Sequence, residues 1–176
     1  MKLYSDYFER ESTIVAKNLL GNVFVHQTDE GKIAGIITET EAYGDASDLA
    51  SHARFGKTKR NEIMFGPGGH LYVYHIYGLF YLTNIVCREE GGASAVLIRS
   101  AEIIEGKDRA ITNLASSRFV KINEQLATGP GKFSLAFGIN KTHNKIDLTK
   151  SGEFYILKEE VPNKQEIISV PRIGID

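Results

Sequence analysis

The amino-acid sequence predicts an α+β fold in which residues 1–176 form one compact domain with a mainly antiparallel β-sheet, flanking helices and a protruding β-hairpin. Three observations lead to this prediction. A chain of 176 residues has the length of a single domain. Segments rich in β-branched and aromatic residues alternate with short turns over much of the chain. No internal repeat, low-complexity tract or Pro/Ser-rich linker divides the sequence.

Hydrophobic periodicity and turn residues give the order of the elements. A helix is predicted over residues 11–21, because Ser12 or Thr13 can cap its N-terminus and Gly21 can end it. A loop is predicted over residues 44–69. The remaining predictions are strands over 22–27, 34–43, 71–77, 80–87, 95–100 and 153–157, a weakly marked helical stretch over 102–125, and a short helix that begins at 128–131.

Composition limits the functional classes. The sequence has neither a run of roughly 18 apolar residues nor the apolar N-terminal region of a secretory signal, so no membrane partner and no secretion are predicted. Its one cysteine, Cys87, cannot form an internal disulfide, which is typical of a reducing compartment. We therefore expect an intracellular protein, in the cytoplasm or nucleoid of a bacterium or in the nucleus of a eukaryote.

The charge balance bears on nucleic-acid binding. A formal net charge of −1 and a pI near 6.5 argue mildly against such a partner. Phosphate binding depends on the local distribution of charge, however, rather than on the total. Four basic residues fall within one seven-residue stretch, namely Arg54, Lys57, Lys59 and Arg60.

Three familiar motifs are excluded. If Gly131-Lys132 belonged to a phosphate-binding P-loop, residue 126 would be glycine and residue 133 would be Ser or Thr. These positions are occupied by Leu126 and Phe133. The five histidines show no zinc spacing, and a single cysteine cannot build a cysteine-rich site. No Gly-x-Ser-x-Gly nucleophile elbow occurs. The sequence therefore predicts no metal site and no cofactor.

The strand over 34–43 has an unusual polar face. Strict alternation places on one face Ile37, Glu39, Glu41 and Tyr43. Glu41 is a candidate general base, because a carboxylate can deprotonate water and stabilise the sugar cation that forms when an N-glycosidic bond is hydrolysed. In the alternative interpretation, Glu39 and Glu41 are a solvated strand face, and a lone histidine such as His52 is structural.

A tyrosine-rich hairpin follows, in which Gly78 separates two strands and Tyr77 lies at or near the tip. In one interpretation Tyr72, Tyr74 and Tyr77 are packing residues. In the other they serve a base extruded from a duplex, because such a base needs flat side chains around it and an inserted side chain fills the gap it leaves. Alternation places Tyr72 and Tyr74 on the face opposite Tyr77, so the three need not share one role.

Ordered motifs extend along nearly the whole chain. They are Glu39-Thr40-Glu41-Ala42-Tyr43, His52-Ala53-Arg54, Arg60-Asn61, Met64-Phe65, Leu71-Tyr72-Val73-Tyr74-His75-Ile76-Tyr77-Gly78, Thr83-Asn84-Ile85, Ala95-Val96-Leu97-Ile98-Arg99, Gly129-Pro130-Gly131-Lys132 and Arg172-Ile173-Gly174. Together they resemble the alkyladenine (3-methyladenine) DNA glycosylase family. The resemblance implies a curved sheet. Family members normally continue past the Arg-Ile-Gly segment into a basic, aromatic stretch, whereas this sequence ends at Asp176.

The resemblance assigns catalytic roles. Glu41 matches the carboxylate that activates the attacking water. Arg99 and the backbone carbonyl of Ile173 match groups that help to hold that water. Of the two glutamates on the strand, the family pattern selects Glu41 and leaves Glu39 as a supporting residue.

The resemblance also assigns binding roles. Tyr43, His52 and Tyr74 match the residues that enclose the flipped base. Tyr77 matches the side chain inserted through the minor groove, and Asn84 matches a pocket residue that disfavours guanine through its exocyclic amino group. We further expect five basic side chains to contact the DNA backbone: Arg54, Lys57, Lys59, Arg60 and Lys132.

Family members remove alkylated or deaminated purines, such as 3-methyladenine, hypoxanthine and ethenoadenine. The resemblance therefore implies a repair glycosylase that uses water, needs no cofactor, leaves an abasic site without cutting the strand, and acts on double-stranded DNA as a monomer without an obligate protein partner. Two alternatives stay open. One is a non-catalytic protein that recognises distorted duplex with the same tyrosine wedge. The other is a metal-dependent hydrolase built on Glu41 and His52.

Overall fold

The structure, a computed structural model, describes residues 1–159 and 166–175, so residues 160–165 and 176 of the predicted domain lie outside it. The helices in these ranges are α1 (Ser5–Phe8), α2 (Ser12–Leu19), α3 (Lys107–Ala115) and α4 (Pro130–Ala136). The strands are β1 (Val23–Thr28), β2 (Gly31–Tyr43), β3 (Leu71–Ile76), β4 (Phe80–Cys87), β5 (Ser94–Glu105), β6 (Ala127–Thr128) and β7 (Phe154–Leu157). Short 3₁₀ turns occur at His52–Phe55, Glu62–Phe65 and Lys141–His143.

The strands form one antiparallel sheet in the order β3-β4-β5-β2-β1-β7, with β6 paired to β5. At its centre, β2 and β5 are the longest strands, with 13 and 12 residues. The sheet curls into a half-barrel within a single compact domain. The predicted α+β class, the curved antiparallel sheet, the flanking helices and the hairpin formed by β3 and β4 are therefore confirmed.

The two faces of the sheet pack against different parts of the chain. One face and the four helices form the main core, to which Leu71 and Val73 of β3 contribute. The alternate residues Tyr72 and Tyr74 instead pack in a second cluster beneath the 3₁₀ turns. We call it the pocket-side cluster; its buried members are Ala53, Met64, Tyr72, Val86, Ala93 and Ala95. Because side chains alternate along a strand, β3 can stabilise the fold with one face and offer aromatic rings to a site with the other.

A β-bulge in β2 changes which side chains face the main core. Ile33 and Ile37 lie in that core, but further along the strand the even-numbered Ala42 packs against it instead. The pairing with β5 shifts register on both sides of Glu39. Because a bulge adds a residue on one strand, it reverses the alternation beyond it. The prediction that Ile37 shares a face with Glu41 is therefore wrong, since Glu41 faces the pocket side.

The first long helix begins differently from the prediction. The cap position of α2 is occupied by Glu11, whose backbone carbonyl accepts hydrogen bonds from Ile14 and Val15. No side chain caps the helix, so the predicted cap at Ser12 or Thr13 is wrong. Gly21 follows the helix with a φ of 82°, as expected for a residue that ends it. None of the helices in the described ranges has the length and apolar character needed to cross a bilayer.

The stretch predicted to be helical over 102–125 is partly a strand. β5 continues to Glu105, because the long β2 offers it partners as far as Ala34. Helix α3 occupies only Lys107–Ala115. Gly106 lies between the two elements with a φ of 76°, and a Cβ atom there would lie 2.2 Å from the carbonyl oxygen of Lys32. The turn into α3 therefore requires glycine at this position.

A substitution at Phe24 tests this account of the main core. The buried ring of Phe24 lies 5.4 Å from that of Phe133 and 5.2 Å from that of Phe137, which joins β1 to α4. Phe24→Ala is expected to lower the free energy of unfolding by about 3–5 kcal/mol, measured by urea denaturation, because it opens a cavity. Phe119→Ala, at a ring that is 56% exposed, is the control and should change it by less than about 0.5 kcal/mol. An equal loss of unfolding free energy in Phe24→Ala and Phe119→Ala would contradict the placement of Phe24 in the main core.

Candidate functional site

Glu41 lies on the pocket side of β2 with only 7% of its surface exposed. Its Oε1 accepts a hydrogen bond from the backbone N–H of Ile173 (3.0 Å) and forms an ion pair with Nη1 of Arg99 (3.2 Å). Its Oε2 accepts a hydrogen bond from the hydroxyl of Tyr43 (3.0 Å). The three residues predicted for catalysis therefore meet. The contact from Ile173 is made by its N–H, and a water-holding role of its carbonyl stays a prediction.

Arg99 is held in place from its other side by Glu39. Nε of Arg99 donates to Oε1 of Glu39 at 2.7 Å. The hydroxyl of Ser100 donates to the second oxygen of Glu39 at 3.2 Å and accepts a hydrogen bond from the N–H of Gly129 at 3.1 Å. Glu39 thus orients the guanidinium toward Glu41 and connects it to the start of α4.

A cavity of about 190 Å³ lies next to this group. Tyr43 connects the two, because its ring lines the cavity and its hydroxyl binds Glu41. The cavity is lined by Tyr43, Ala50, His52, Met64, Tyr72, Tyr74, Asn84, Ala95 and Ile175, which include all four residues predicted for the base pocket. Drug-sized ligands occupy larger sites, of about 300–1,000 Å³. A small cavity with aromatic walls suits a single flat heterocycle.

The walls of the cavity are joined by polar contacts. The hydroxyl of Tyr72 lies 2.8 Å from Nδ1 of His52. The rings of His52 and Tyr74 are 4.7 Å apart in an edge-to-face arrangement. The side-chain amide of Asn84 donates to the backbone carbonyl of Tyr72 at 3.1 Å. These contacts fix four of the wall residues relative to one another, so this part of the cavity is preformed.

The pKa values of several wall residues are shifted. Burial raises the pKa of Tyr72 to about 12. Burial and then the negative charge of Glu41 raise the pKa of Tyr43 well above its usual range. Both hydroxyls therefore keep their protons at neutral pH, and that of Tyr43 can donate to Glu41. Partial burial and then the charge of Arg60 lower the pKa of His52, which favours its neutral form.

Tyr77 stands at the tip of the hairpin, as the sequence predicts, and 87% of its surface is exposed. Tyr77 and Gly78 both have positive φ, at 53° and 67°. The N–H of Leu79 donates to the carbonyl of Ile76 at 3.0 Å, which is the pattern of a type I′ turn. A bulky residue in a left-handed conformation is strained, and such strain often occurs at functional sites. The intercalating role of Tyr77 stays a prediction.

The predicted DNA-contacting residues divide into two groups. Arg54, Lys57, Lys59 and Arg60 are exposed and lie within or just after the 3₁₀ turn that carries His52. The guanidinium of Arg60 lies 5.4 Å from the centre of the Tyr74 ring, close to the cavity. Lys132 is different, because its ammonium donates to Oδ1 of Asn123 (2.6 Å) and to the carbonyl of Gln125 (2.5 Å). Contacts of these residues with DNA stay predictions.

An ion pair beside Glu41 was not predicted from the sequence. Nη2 of Arg172 donates to Oδ1 of Asp48 at 2.8 Å, and Nη1 donates to Oδ2 of Asp48 and to the carbonyl of Ala42 (3.0 Å). The guanidinium also lies 4.8 Å from the centre of the Tyr43 ring. The only signal in the sequence was the position of Arg172 next to Ile173, since no local pattern relates residue 48 to residue 172.

One group of three metal-ligand side chains occurs within the described ranges, away from this site. His26, His143 and Glu153 place their ligand atoms within 4.8 Å of one another. Nδ1 of His143 accepts a hydrogen bond from the N–H of Asn140 at 3.1 Å, so in the neutral ring Nε2 carries the proton and faces Glu153 at 3.8 Å. A metal ligand needs an unprotonated nitrogen. The geometry therefore suits a hydrogen-bonded cluster better than a metal centre.

The site and the fold can be compared with known families. Residues 6–176 match the family model described as methylpurine-DNA glycosylase. The protein is accordingly a DNA glycosylase, a hydrolase of N-glycosyl bonds. The match includes every residue of the group around Glu41. The chain belongs to the methylpurine-DNA glycosylase family, whose enzymes function in base excision repair.

Individual relatives agree with this membership. A protein of Methanocella arvoryzae named "Putative 3-methyladenine DNA glycosylase" is 41% identical over 171 residues, which cover 97% of this chain and 83% of that protein. Proteins of the same name from Clostridium botulinum and Desulfitobacterium hafniense are 39% and 40% identical, over 100% and 99% of this chain and 89% and 88% of theirs. The resemblance read from the motifs is confirmed.

The titration of His52 tests the electrostatics of the cavity. Its pKa is expected to lie below 6.5, so the folded state binds this proton less tightly than the unfolded state and His52 destabilises the protein as the pH falls below 6.5. Arg60→Gln should raise the pKa of His52, because it removes a nearby positive charge. NMR titration of the imidazole measures it, with Arg118→Gln as the matched control. An unchanged pKa in Arg60→Gln would show that Arg60 does not act on the pocket.

Proposed function

We propose that the protein lifts alkylated or deaminated purines out of duplex DNA, of the 3-methyladenine, hypoxanthine and ethenoadenine class, and hydrolyses their N-glycosidic bond with a water activated by Glu41. The product is an abasic site in an uncut strand, and the enzyme acts as a monomer. One observation carries the proposal: the buried carboxylate of Glu41 has three fixed partners and adjoins a small cavity with aromatic walls.

The contacts of Glu41 leave one acceptor position for a water molecule. A carboxylate offers about four acceptor positions. Ile173 and Arg99 lie at Oε1, whereas Oε2 accepts only the hydroxyl of Tyr43 among the described residues. A water that donates to Oε2 would lose a proton to Glu41 as it attacks the sugar, and the negative charge would stabilise the oxocarbenium-like transition state.

The cavity supplies the second part of the mechanism. A base enclosed by Tyr43, His52 and Tyr74 has lost its stacking partners in the duplex, and these rings replace them. A cationic alkylpurine is already a good leaving group, so enclosure and stabilisation of the sugar cation suffice for its release. Asn84, which is buried at the side of the cavity, would disfavour guanine by contact with its exocyclic amino group.

The hairpin and the basic residues supply DNA binding. Insertion of the exposed Tyr77 ring would fill the space that the flipped base leaves. Arg54, Lys57 and Lys59, which are exposed within or just after the turn that carries His52, would bind phosphates around the lesion. A protein with net charge −1 can bind DNA in this way, because local charge decides phosphate binding and these basic residues are exposed together on and after one turn.

Glu41→Gln tests the proposal and separates it from a recognition-only protein. Wild-type protein is expected to release hypoxanthine, ethenoadenine or a 3-methyladenine analogue from single-lesion duplexes in EDTA, with strand breaks only after alkali. Glu41→Gln should lower the single-turnover rate at least about 100-fold while lesion binding persists. Glu102→Gln, at an exposed carboxylate of β5, is the matched control. Binding without release by wild-type protein would support recognition only, and release that EDTA abolishes would support a metal-dependent hydrolase.

Tyr77→Ala tests the wedge. Loss of one stacked aromatic ring is expected to weaken binding to a lesion-containing duplex by about tenfold, because base–aromatic stacking contributes about 1–3 kcal/mol. Fluorescence anisotropy with labelled duplexes measures this, and binding to undamaged duplex should change less. Tyr4→Ala, at another exposed tyrosine, is the control. Unchanged lesion affinity and unchanged base release in Tyr77→Ala would remove Tyr77 from the mechanism.

A further inference from the structure

We propose that Arg172 and Asp48 form a clasp that positions Glu41, by holding the N–H of Ile173 against its carboxylate. The Asp48–Arg172 clasp consists of these two side chains and the carbonyl of Ala42. The inference rests on the proposed function, since it assigns a task to residues around the same carboxylate. Both residues act through Glu41 and are positioning residues rather than groups that touch the substrate.

Ile173 needs an anchor. Its N–H donates to Glu41, yet 64% of its surface is exposed. Within residues 166–175, which contain no helix or strand, Arg172 is the residue most shielded from solvent, and Ile175, which is 38% exposed, is also partly covered where it lines the cavity. A hydrogen bond from a solvent-exposed, irregular segment has a fixed geometry only where that segment is tied down. The side chain of Arg172 is the tie nearest to Ile173.

Arg172 binds the strand that carries Glu41. Its guanidinium donates to the carbonyl of Ala42, the residue of β2 that lies between Glu41 and Tyr43. The same group lies over the ring of Tyr43, whose hydroxyl binds the other oxygen of Glu41. Arg172 therefore fixes the C-terminal segment in register with the strand that carries the carboxylate. Through Ile173 and Tyr43, Arg172 acts on both carboxylate oxygens of Glu41.

Asp48 is itself held rigidly. Its two oxygens accept hydrogen bonds from the N–H groups of Gly44 (2.8 Å) and Ala50 (3.0 Å) as well as from Arg172. The hydrogen bond from Arg172 is the main cause that lowers the pKa of Asp48 to about 2, so the pair stays charged at any working pH. Bidentate pairs of this kind fix orientation as well as distance. The clasp thus also orders the loop between Tyr43 and His52.

The orientation of Arg172 distinguishes the clasp from a phosphate contact. Nη1 and Nη2 are directed at Asp48 and Ala42, and 26% of the side chain is exposed. A guanidinium whose N–H groups donate to acceptors inside the protein has few donors left to bind DNA phosphates. The basic residues that do face solvent near the cavity, such as Lys57 and Lys59, have no such partners among the described residues.

Arg172→Met and a matched control test the clasp. Arg88→Met removes a guanidinium that pairs with Asp45 of the same loop at 2.9 Å and is 30% exposed, but Arg88 makes no contact with Ile173 or Glu41. The measurements are the single-turnover rate at saturating enzyme on a hypoxanthine duplex, the Kd for that duplex, and the melting temperature. Wild-type protein and Glu41→Gln are measured in parallel.

The expected result is a split between rate and affinity. Arg172→Met should lower the single-turnover rate about 10-fold to 100-fold, the effect of losing one fixed hydrogen bond to a charged group. Its Kd should stay within about threefold of the wild-type value, and Arg88→Met should match wild type in both. Arg172→Lys keeps the positive charge but cannot donate to both oxygens of Asp48 in the same way. Its single-turnover rate should therefore also be lowered.

Other results would overturn the clasp without affecting the role of Glu41. A wild-type rate in Arg172→Met, with Glu41→Gln inactive, removes the positioning role and leaves the proposed function standing. Weakened binding that Arg172→Lys restores, with an unchanged rate, makes Arg172 a DNA contact. If Arg172→Met fails to fold, a wild-type rate in a folded Arg172→Lys overturns the clasp in the same way. If Glu41→Gln keeps the wild-type rate, it is the proposed function that fails.

Discussion

The site depends on the stabilisation of one buried carboxylate. Removal of such a group from water costs several kcal/mol unless charges and hydrogen-bond donors replace its hydration. At Glu41 the replacements are a guanidinium, a phenol and a backbone N–H. Donors that are fixed in this way need little rearrangement when charge develops nearby. The arrangement that makes burial tolerable therefore also fixes the orientation of the carboxylate.

The partners of Glu41 come from segments that are distant in sequence. Arg99 lies on the neighbouring strand, Tyr43 two residues along the same strand, and Ile173 near the end of the described chain. Glu39 links Arg99 through Ser100 to the start of α4, and so to the main core. The geometry of the site is consequently a property of the whole sheet. Loss of packing far from the cavity would reach Glu41 through these contacts.

Sequence reasoning was accurate where the signals are local. Period-2 alternation and glycine punctuation identified the hairpin of β3 and β4, and family motifs selected the residues that line the cavity. It was wrong at residues 102–105, because the extension of β5 depends on a partner strand that lies far away in sequence. The pair Asp48 and Arg172 escaped notice for the same reason. Such contacts are decided by tertiary packing, which has no local pattern.

The irregular pairing around Glu39 decides which side of the sheet Glu41 faces. From Ile37 to Glu41 and from Ala101 to Leu97 both strands advance by four residues, but β2 carries an extra residue before Glu39 and β5 carries one after it. Ile37 therefore faces the main core, whereas Glu41 lies on the other side of the sheet with Tyr43 and Arg99. Substitutions between Ile37 and Glu41 leave this register in place, whereas an insertion or deletion of one residue there would turn Glu41 toward the main core or break its pairing with β5.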